Sequence, residues 1–170
     1  CDTDIFGKAP YRLTASGISD LMGKYIALAD WKISHILTGE YFCPVIYNLE
    51  MEAVREVESL LEKIKSGDAA CMEKLMYALI LSGLAMQMIG NSRPASGAEH
   101  HISHLWEMSV INDPVDALHG EKVSAGLILC LEKYEAIREA IESGKCQITD
   151  HTEFETVLLQ QTFGKKGLYE

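Results

Sequence analysis

The stretch RPASGAEHHISHLWEM, residues 93–108, carries three histidines and two glutamates. On a helix, residues four apart share a face, so His100 and His104 project together while His101 points about 100° away. Two imidazoles at that spacing can hold one metal ion through their ring nitrogens. A polar pair satisfied without any metal has the same spacing. The cluster follows directly on a strongly apolar segment and a glycine-containing loop, where polar groups are costly unless something satisfies them.

Three other places could join it. In LHGEKVSAG, His119 opens a helix after the Asp113-Pro114 break. The connection is short, so the helix turns back antiparallel and His119 can face His100; a histidine at a helix start is also a common surface residue. In SGISDLMGKYIALADW, Asp20 and Lys24 are four apart. Taken alone they make an ordinary helical ion pair worth a few tenths of a kcal/mol, but beside the histidines Asp20 is the hard oxygen donor that a His-His-carboxylate site with an open position requires. Ser92 and Arg93 precede Pro94 and a helix N-terminus, where a guanidinium, hydroxyls and free N–H groups suit one phosphate or carboxylate; Arg93 is equally well placed as a solvated loop residue.

These residues need helices to position them, and helical periodicity dominates the chain. After Pro10, Ile18, Leu21, Met22, Tyr25, Leu28, Ala29, Lys32 and Ile36 keep helical spacing up to a stop at Gly39. A second, amphipathic helix carries Leu49, Ala53, Val57, Leu60, Leu61 and Ile64 inward and ends at Gly67. Asp68 caps a third, which is apolar on all sides from Ala78 to Ile89 and is therefore expected to be buried all round. Ser96 is the expected N-cap of the histidine helix, with Glu99 completing a capping box. The helix from His119 turns Val123, Leu127, Leu131, Tyr134, Ile137 and Ile141 inward, and TDHTEFETVLLQQ forms one more, capped by Thr149 or Asp150. No segment alternates with period two, so the fold class is all-α, a helical bundle.

Composition narrows the partners. With 170 residues, 48% of them hydrophobic, the chain can bury one core, and residues 1–170 are read as one domain. A net charge of −10 leaves no basic surface for nucleic acid or an anionic membrane, so neither is an expected partner. The longest apolar run, LMYALILSGLAMQMIG, has 16 residues, against roughly 20 for a span. The five cysteines form no CxxC pair and are read as reduced thiols in a cytoplasmic protein. The chain opens on Cys1 and closes on FGKKGLYE, which reads as a piece of a longer polypeptide.

GNSRPASGAEHHISHLWEM, ALHGEKVSAG and ASGISDLMGKYIALADW together resemble the C-terminal, all-helical half of the iron-dependent alcohol dehydrogenase and dehydroquinate synthase superfamily, over about residues 2–142. Within it, SRPASGAEH is most similar to the members that reduce dihydroxyacetone phosphate to sn-glycerol 1-phosphate. The resemblance implies Asp20, His100 and His119 as metal ligands, with His101 the alternative to His100. It implies His104 as a catalytic, non-ligating residue that moves a proton, which differs from the His100–His104 pair suggested by spacing. It further implies a divalent metal, zinc first and nickel or iron as alternatives, and NAD or NADP as cofactor, with hydride transferred from its reduced form. Arg93, Ser92 and, more weakly, Lys24 would hold the phosphate of a small phosphorylated substrate.

Family members also carry an N-terminal α/β nucleotide-binding half, and nothing in this chain resembles it. The expectation is therefore the metal- and substrate-binding half of a two-domain dehydrogenase whose nucleotide-binding half is a separate partner. A homo-oligomer is compatible with the sequence. Two other readings remain open: a glycerol dehydrogenase-like or dehydroquinate synthase-like enzyme with the same triad, and a metal-stabilised helical module without catalysis.

Overall fold

The structure, a computed structural model, describes residues 2–108 and 116–146. Their elements are all helical: α1 Thr3–Gly7, α2 Tyr11–Thr38, α3 Pro44–Ser59, α4 Leu61–Lys65, α5 Ala69–Ile89, α6 Ala98–Glu107 and α7 His119–Glu142. The expected helix in TDHTEFETVLLQQ and the break at Asn112-Asp113-Pro114 lie outside the described residues.

The long α2 organises the bundle. It begins directly after Pro10 and ends where Gly39 takes a left-handed conformation (φ 74°), which costs glycine nothing and lets its N–H close on His35 O at 3.0 Å. In mid-helix Gly23, Lys24, Ile26, Ala27, Leu28 and Trp31 are all buried. Burial of consecutive residues means neighbours on more than one side: α2 contacts α3 and α5 on one flank and α6 and α7 on the other.

Leu21 packs with Ala53, Val54 and Val57 of α3, Ile64 of α4 and Cys71, Met72, Leu75 and Ala78 of α5. Farther along, Leu28 and Trp31 meet Ile46 and Ala85. Cys43, Cys71, Cys130 and Cys146 are unpaired thiols.

Four expectations need correction. The second expected helix is two, α3 and α4, broken at Leu60. Its inward stripe runs through Ile46, Glu50, Ala53, Val54 and Val57, so Leu49 is exposed and Glu50 is buried completely. On α5, Cys71, Met72, Leu75, Ala78, Ser82 and Ala85 face inward, while Tyr77, Ile80, Leu84 and Met88 form an exposed apolar stripe; the helix packs on one side only.

At 21 residues, α5 also exceeds the apolar run read from the sequence and is long and apolar enough to cross a membrane by length and composition. Its packing against α1, α3 and α4 is that of a bundle helix. On α7 the buried line is Val123, Gly126 and Cys130, and Leu131, Ile137 and Ile141 are exposed.

Candidate metal centre

Helix α6 starts one residue later than the capping-box pattern suggests. Its N-cap is Gly97, and Glu99 reaches back with Oε1 to accept the Gly97 N–H at 3.1 Å. The next free donor, Ala98 N–H, is satisfied by Asp30 Oδ2 of α2 at 2.8 Å. A Cβ at residue 97 would lie 2.7 Å from both Ala27 Cα and Asp30 Oδ2, so this close approach excludes a side-chain cap at that position. Tertiary contact with α2, rather than Ser96, sets the start of the helix and hence the height of His100.

Helix α7 is pinned just as locally. Glu121 accepts Leu118 N–H at 2.8 Å and also receives Arg12 of α2 through Nε at 2.6 Å and a second guanidine nitrogen at 2.8 Å. Gly120 N–H donates to Ser16 Oγ at 3.1 Å. These contacts place His119, the first residue of α7, opposite α2.

The result is a convergence of three helices on one point. Asp20 Oδ1 lies 3.1 Å from His100 Nε2 and 3.7 Å from His119 Nε2. The ligand atoms of Asp20, His100 and His119 all lie within 4.8 Å of one another. Each histidine turns its other nitrogen to a carboxylate: His100 Nδ1 is 2.7 Å from Glu99 Oε1, and His119 Nδ1 is 3.0 Å from Glu107 Oε1. Both Nε2 atoms therefore face the shared position, the arrangement in which carboxylates orient imidazole ligands.

His104 lies beside this triad. Its ring centroid is 5.8 Å from that of His100 and 5.6 Å from that of His119. Its atoms fall in a second potential donor group with Glu107 and His119. His101 is exposed and joins neither group.

The electrostatics follow from burial and these contacts. Burial pulls the His100 imidazolium down, but hydrogen bonds to Asp20 and Glu99 outweigh it and push the pKa up to about 9. Burial alone would raise the Asp20 carboxyl; the hydrogen bond to His100 and the charge of Lys24 bring it below its ordinary value. Lys24, almost wholly buried, is lowered by desolvation against the pull of Asp20, Glu50 and Glu99. His104 is lowered by burial and by the neighbouring His100 charge.

A cleft of about 300 Å³ opens over the triad, and Lys24, Ser82, Ser92, Ser96 and His104 line it together with the three convergent residues. Arg93 does not line it; its Nε is 2.8 Å from Glu40 Oε1. Sequence reasoning passed over Glu107, Ser82 and Glu50, and read Glu99 only as a cap. The sole local signal for Glu107 was its spacing, three residues beyond His104 on the same helical face.

No family model matches the chain. Among curated proteins, it is 38% identical over 137 residues to a glycerol-1-phosphate dehydrogenase (NAD(P)+) of Geobacillus thermodenitrificans, covering 80% of this chain and 34% of that protein. A protein of the same name from Halalkalibacterium halodurans is 41% identical over 145 residues, 84% of this chain and 36% of that one. A third, from Staphylothermus marinus, is 42% identical over 133 residues, 78% of this chain and 37% of that one. The chain spans about a third of the length of these relatives, and over four-fifths of its own length it is a homologue of one segment of the glycerol-1-phosphate dehydrogenases.

Proposed function

We propose that this chain forms the metal- and substrate-binding part of an NAD(P)-linked dehydrogenase that reduces dihydroxyacetone phosphate to sn-glycerol 1-phosphate. The observation that carries the reading is the convergence of His100 Nε2 and His119 Nε2 on Asp20 Oδ1 beneath a cleft of about 300 Å³. That volume is at the small end of ligand sites and suits a three-carbon phosphate.

The donor set fits a divalent ion. Two imidazoles with their Nδ1 positions occupied by carboxylates and one carboxylate oxygen are the ligands that zinc, iron or nickel accept with a coordination position left open. When bound, the ion supplies Lewis-acid polarisation of the substrate carbonyl.

The rest is work for the chain's own residues. His104, whose charged form is disfavoured by burial and by the neighbouring His100 charge, moves the proton at the cleft mouth. Lys24 and Ser92 face the cleft and would hold the phosphate, with Ser96 and Ser82 as further donors. Arg93, engaged with Glu40, serves the loop first and the phosphate at most indirectly. The nicotinamide is contributed by a partner part of the longer protein, as the greater length of the relatives supports; the setting is cytoplasmic, without nucleic acid or membrane, and assembly of like copies is compatible with it.

The test is substrate-dependent oxidation of NADH and NADPH by the complete protein, with metal content measured in parallel. Dihydroxyacetone phosphate should be used far better than dihydroxyacetone, and Asp20→Ala and His119→Ala should lose both metal and turnover. Full activity in either variant would refute the assignment.

A further inference from the structure

We infer that Glu107 is the positioning residue that makes His119 a metal ligand, by accepting the Nδ1–H of its ring and thereby leaving the Nε2 lone pair free to face Asp20. The inference rests on the proposed metal triad and adds to it a residue outside the triad.

The geometry is specific. Glu107 is the last residue of α6, and His119 is the first of α7. Glu107 Oε1 lies 3.0 Å from His119 Nδ1, while the opposite nitrogen, Nε2, lies 3.7 Å from Asp20 Oδ1. Lys122 Nζ, one turn along α7, lies 3.4 Å from the same Glu107 oxygen, so the carboxylate has a cation beside it as well as the ring. A ring held this way has one nitrogen committed to donation and the other turned to the cleft.

The need for such a partner comes from imidazole itself. A neutral histidine ring in water prefers to carry its proton on Nε2, the form that cannot ligate through that atom. A carboxylate at Nδ1 reverses the preference, fixes the ring plane and raises ligand basicity. His100, deep in the bundle, has Glu99 for this purpose. His119 has a half-exposed side chain, with the His100 and His104 rings 5.3 and 5.6 Å away, and among the described residues Glu107 is the carboxylate at its Nδ1. Without Glu107, His119 would favour the wrong tautomer and a wider range of ring orientations.

The competing assignment of the same atoms is a second ion held by His104, Glu107 and His119. Binding through His119 Nδ1 would make that nitrogen a ligand instead of a donor, and binding through Nε2 would take it from the triad; either way the two assignments exclude each other.

The experiment uses the metal-stripped protein. Long-range ¹⁵N–¹H correlation at a pH where the ring is neutral should show His119 protonated at Nδ1 in the wild type and at Nε2 in Glu107→Ala. Zinc titration against a competing chelator should give one equivalent in both, with affinity lower by about 10- to 100-fold in Glu107→Ala. Glu107→Gln, whose amide oxygen still accepts, should fall between them. The inference is overturned if the tautomer and the affinity are unmoved in Glu107→Ala. It is also overturned if the wild type takes up two equivalents and only the second is lost. The triad itself is tested by His119→Ala and Asp20→Ala, which should lose the tight equivalent; if they keep it, the metal reading falls while the tautomer measurement still reports on Glu107.

Discussion

Glu99 and His100 are adjacent in sequence, yet their side chains meet, Oε1 to Nδ1, at 2.7 Å. The same Glu99 oxygen accepts Gly97 N–H, so one fully buried carboxylate both starts α6 and orients a ligand ring. Glu99→Ala should leave two donors without a partner, at about 1–3 kcal/mol each. The melting temperature should fall by several degrees, and zinc affinity should fall with it. A variant that melts like the wild type but loses zinc would separate the two roles.

Metal uptake should release protons. His100 in the metal-free protein is raised to about 9, and a ligand must be neutral, so zinc displaces its proton at pH 7. Apparent affinity should climb roughly tenfold per pH unit up to about 9, and binding enthalpy should depend on the ionisation enthalpy of the buffer. The chelated protein should show the matching stability trend. The folded value lies above the unfolded one, near 6.5, so the stabilisation from protonated His100 is complete below pH 6.5 and is lost as pH rises through 9. Buffer-independent enthalpies would argue against a proton on His100.

Glu50 should oppose stability at high pH. Its two carboxyl oxygens are buried without a hydrogen-bond partner, and burial, only partly countered by Lys24, raises its pKa to about 7. A carboxyl raised in the folded state binds its proton more tightly there than in the unfolded chain, so stability declines from about pH 4.5 to 7 and stays lower above. Glu50→Gln should therefore melt like the wild type at pH 5 and more stably at pH 8, by on the order of 1–3 kcal/mol. A gap that does not change with pH would mean the cost is steric.

The parts of the site that lie along one helix were readable from spacing alone. His100 and His104 share a face because they are four apart, and Gly39 ends α2 because it tolerates the left-handed turn. What spacing could not supply is where helices cross. Asp30 caps α6 from α2, and Glu107 at the end of α6 meets His119 at the start of α7; neither pairing has a local signature. The apolar patterns of α5 and α7 were read as fully inward because periodicity reports a stripe without saying how much of it a partner covers. Glu50 ran against its pattern altogether, since a carboxylate inside an apolar stripe reads as a surface residue until Lys24 is seen on the neighbouring helix.

Lys24 and Arg93 should separate in function. Arg93 makes a part-exposed ion pair with Glu40, so Arg93→Ala should change stability by under about 1 kcal/mol and leave the preference for dihydroxyacetone phosphate over dihydroxyacetone intact. Lys24→Met keeps the buried stem and removes the charge. It should lower kcat/KM for the phosphorylated ketone by tens- to thousands-fold and affect the unphosphorylated one much less. The reverse pattern would return the phosphate to Arg93.

Gly126→Ala should loosen the site from a distance. A Cβ there would stand 2.5 Å from the Glu99 carbonyl oxygen, and backbone at that range can only move away. The expected cost is about 1–3 kcal/mol, accompanied by weaker zinc binding because α6 and α7 each carry one imidazole of the triad. Unchanged zinc affinity would show that the two helices part elsewhere.

His100 sits in the first turn of α6, and His119 is the first residue of α7. Two helix macrodipoles thus present their positive ends to the place where a cation would bind, each equivalent to roughly half a unit charge. That field works against holding the ion and against the proton on a neighbouring imidazole, while it favours any negative charge that develops on a ligand in the cleft. The acidic side chains in those first turns, Glu99 and Glu121, offset the field only at the helix ends themselves. At the cleft the helix ends therefore temper the pull of the surrounding carboxylates, which still outweigh them at His100 and hold its pKa up to about 9.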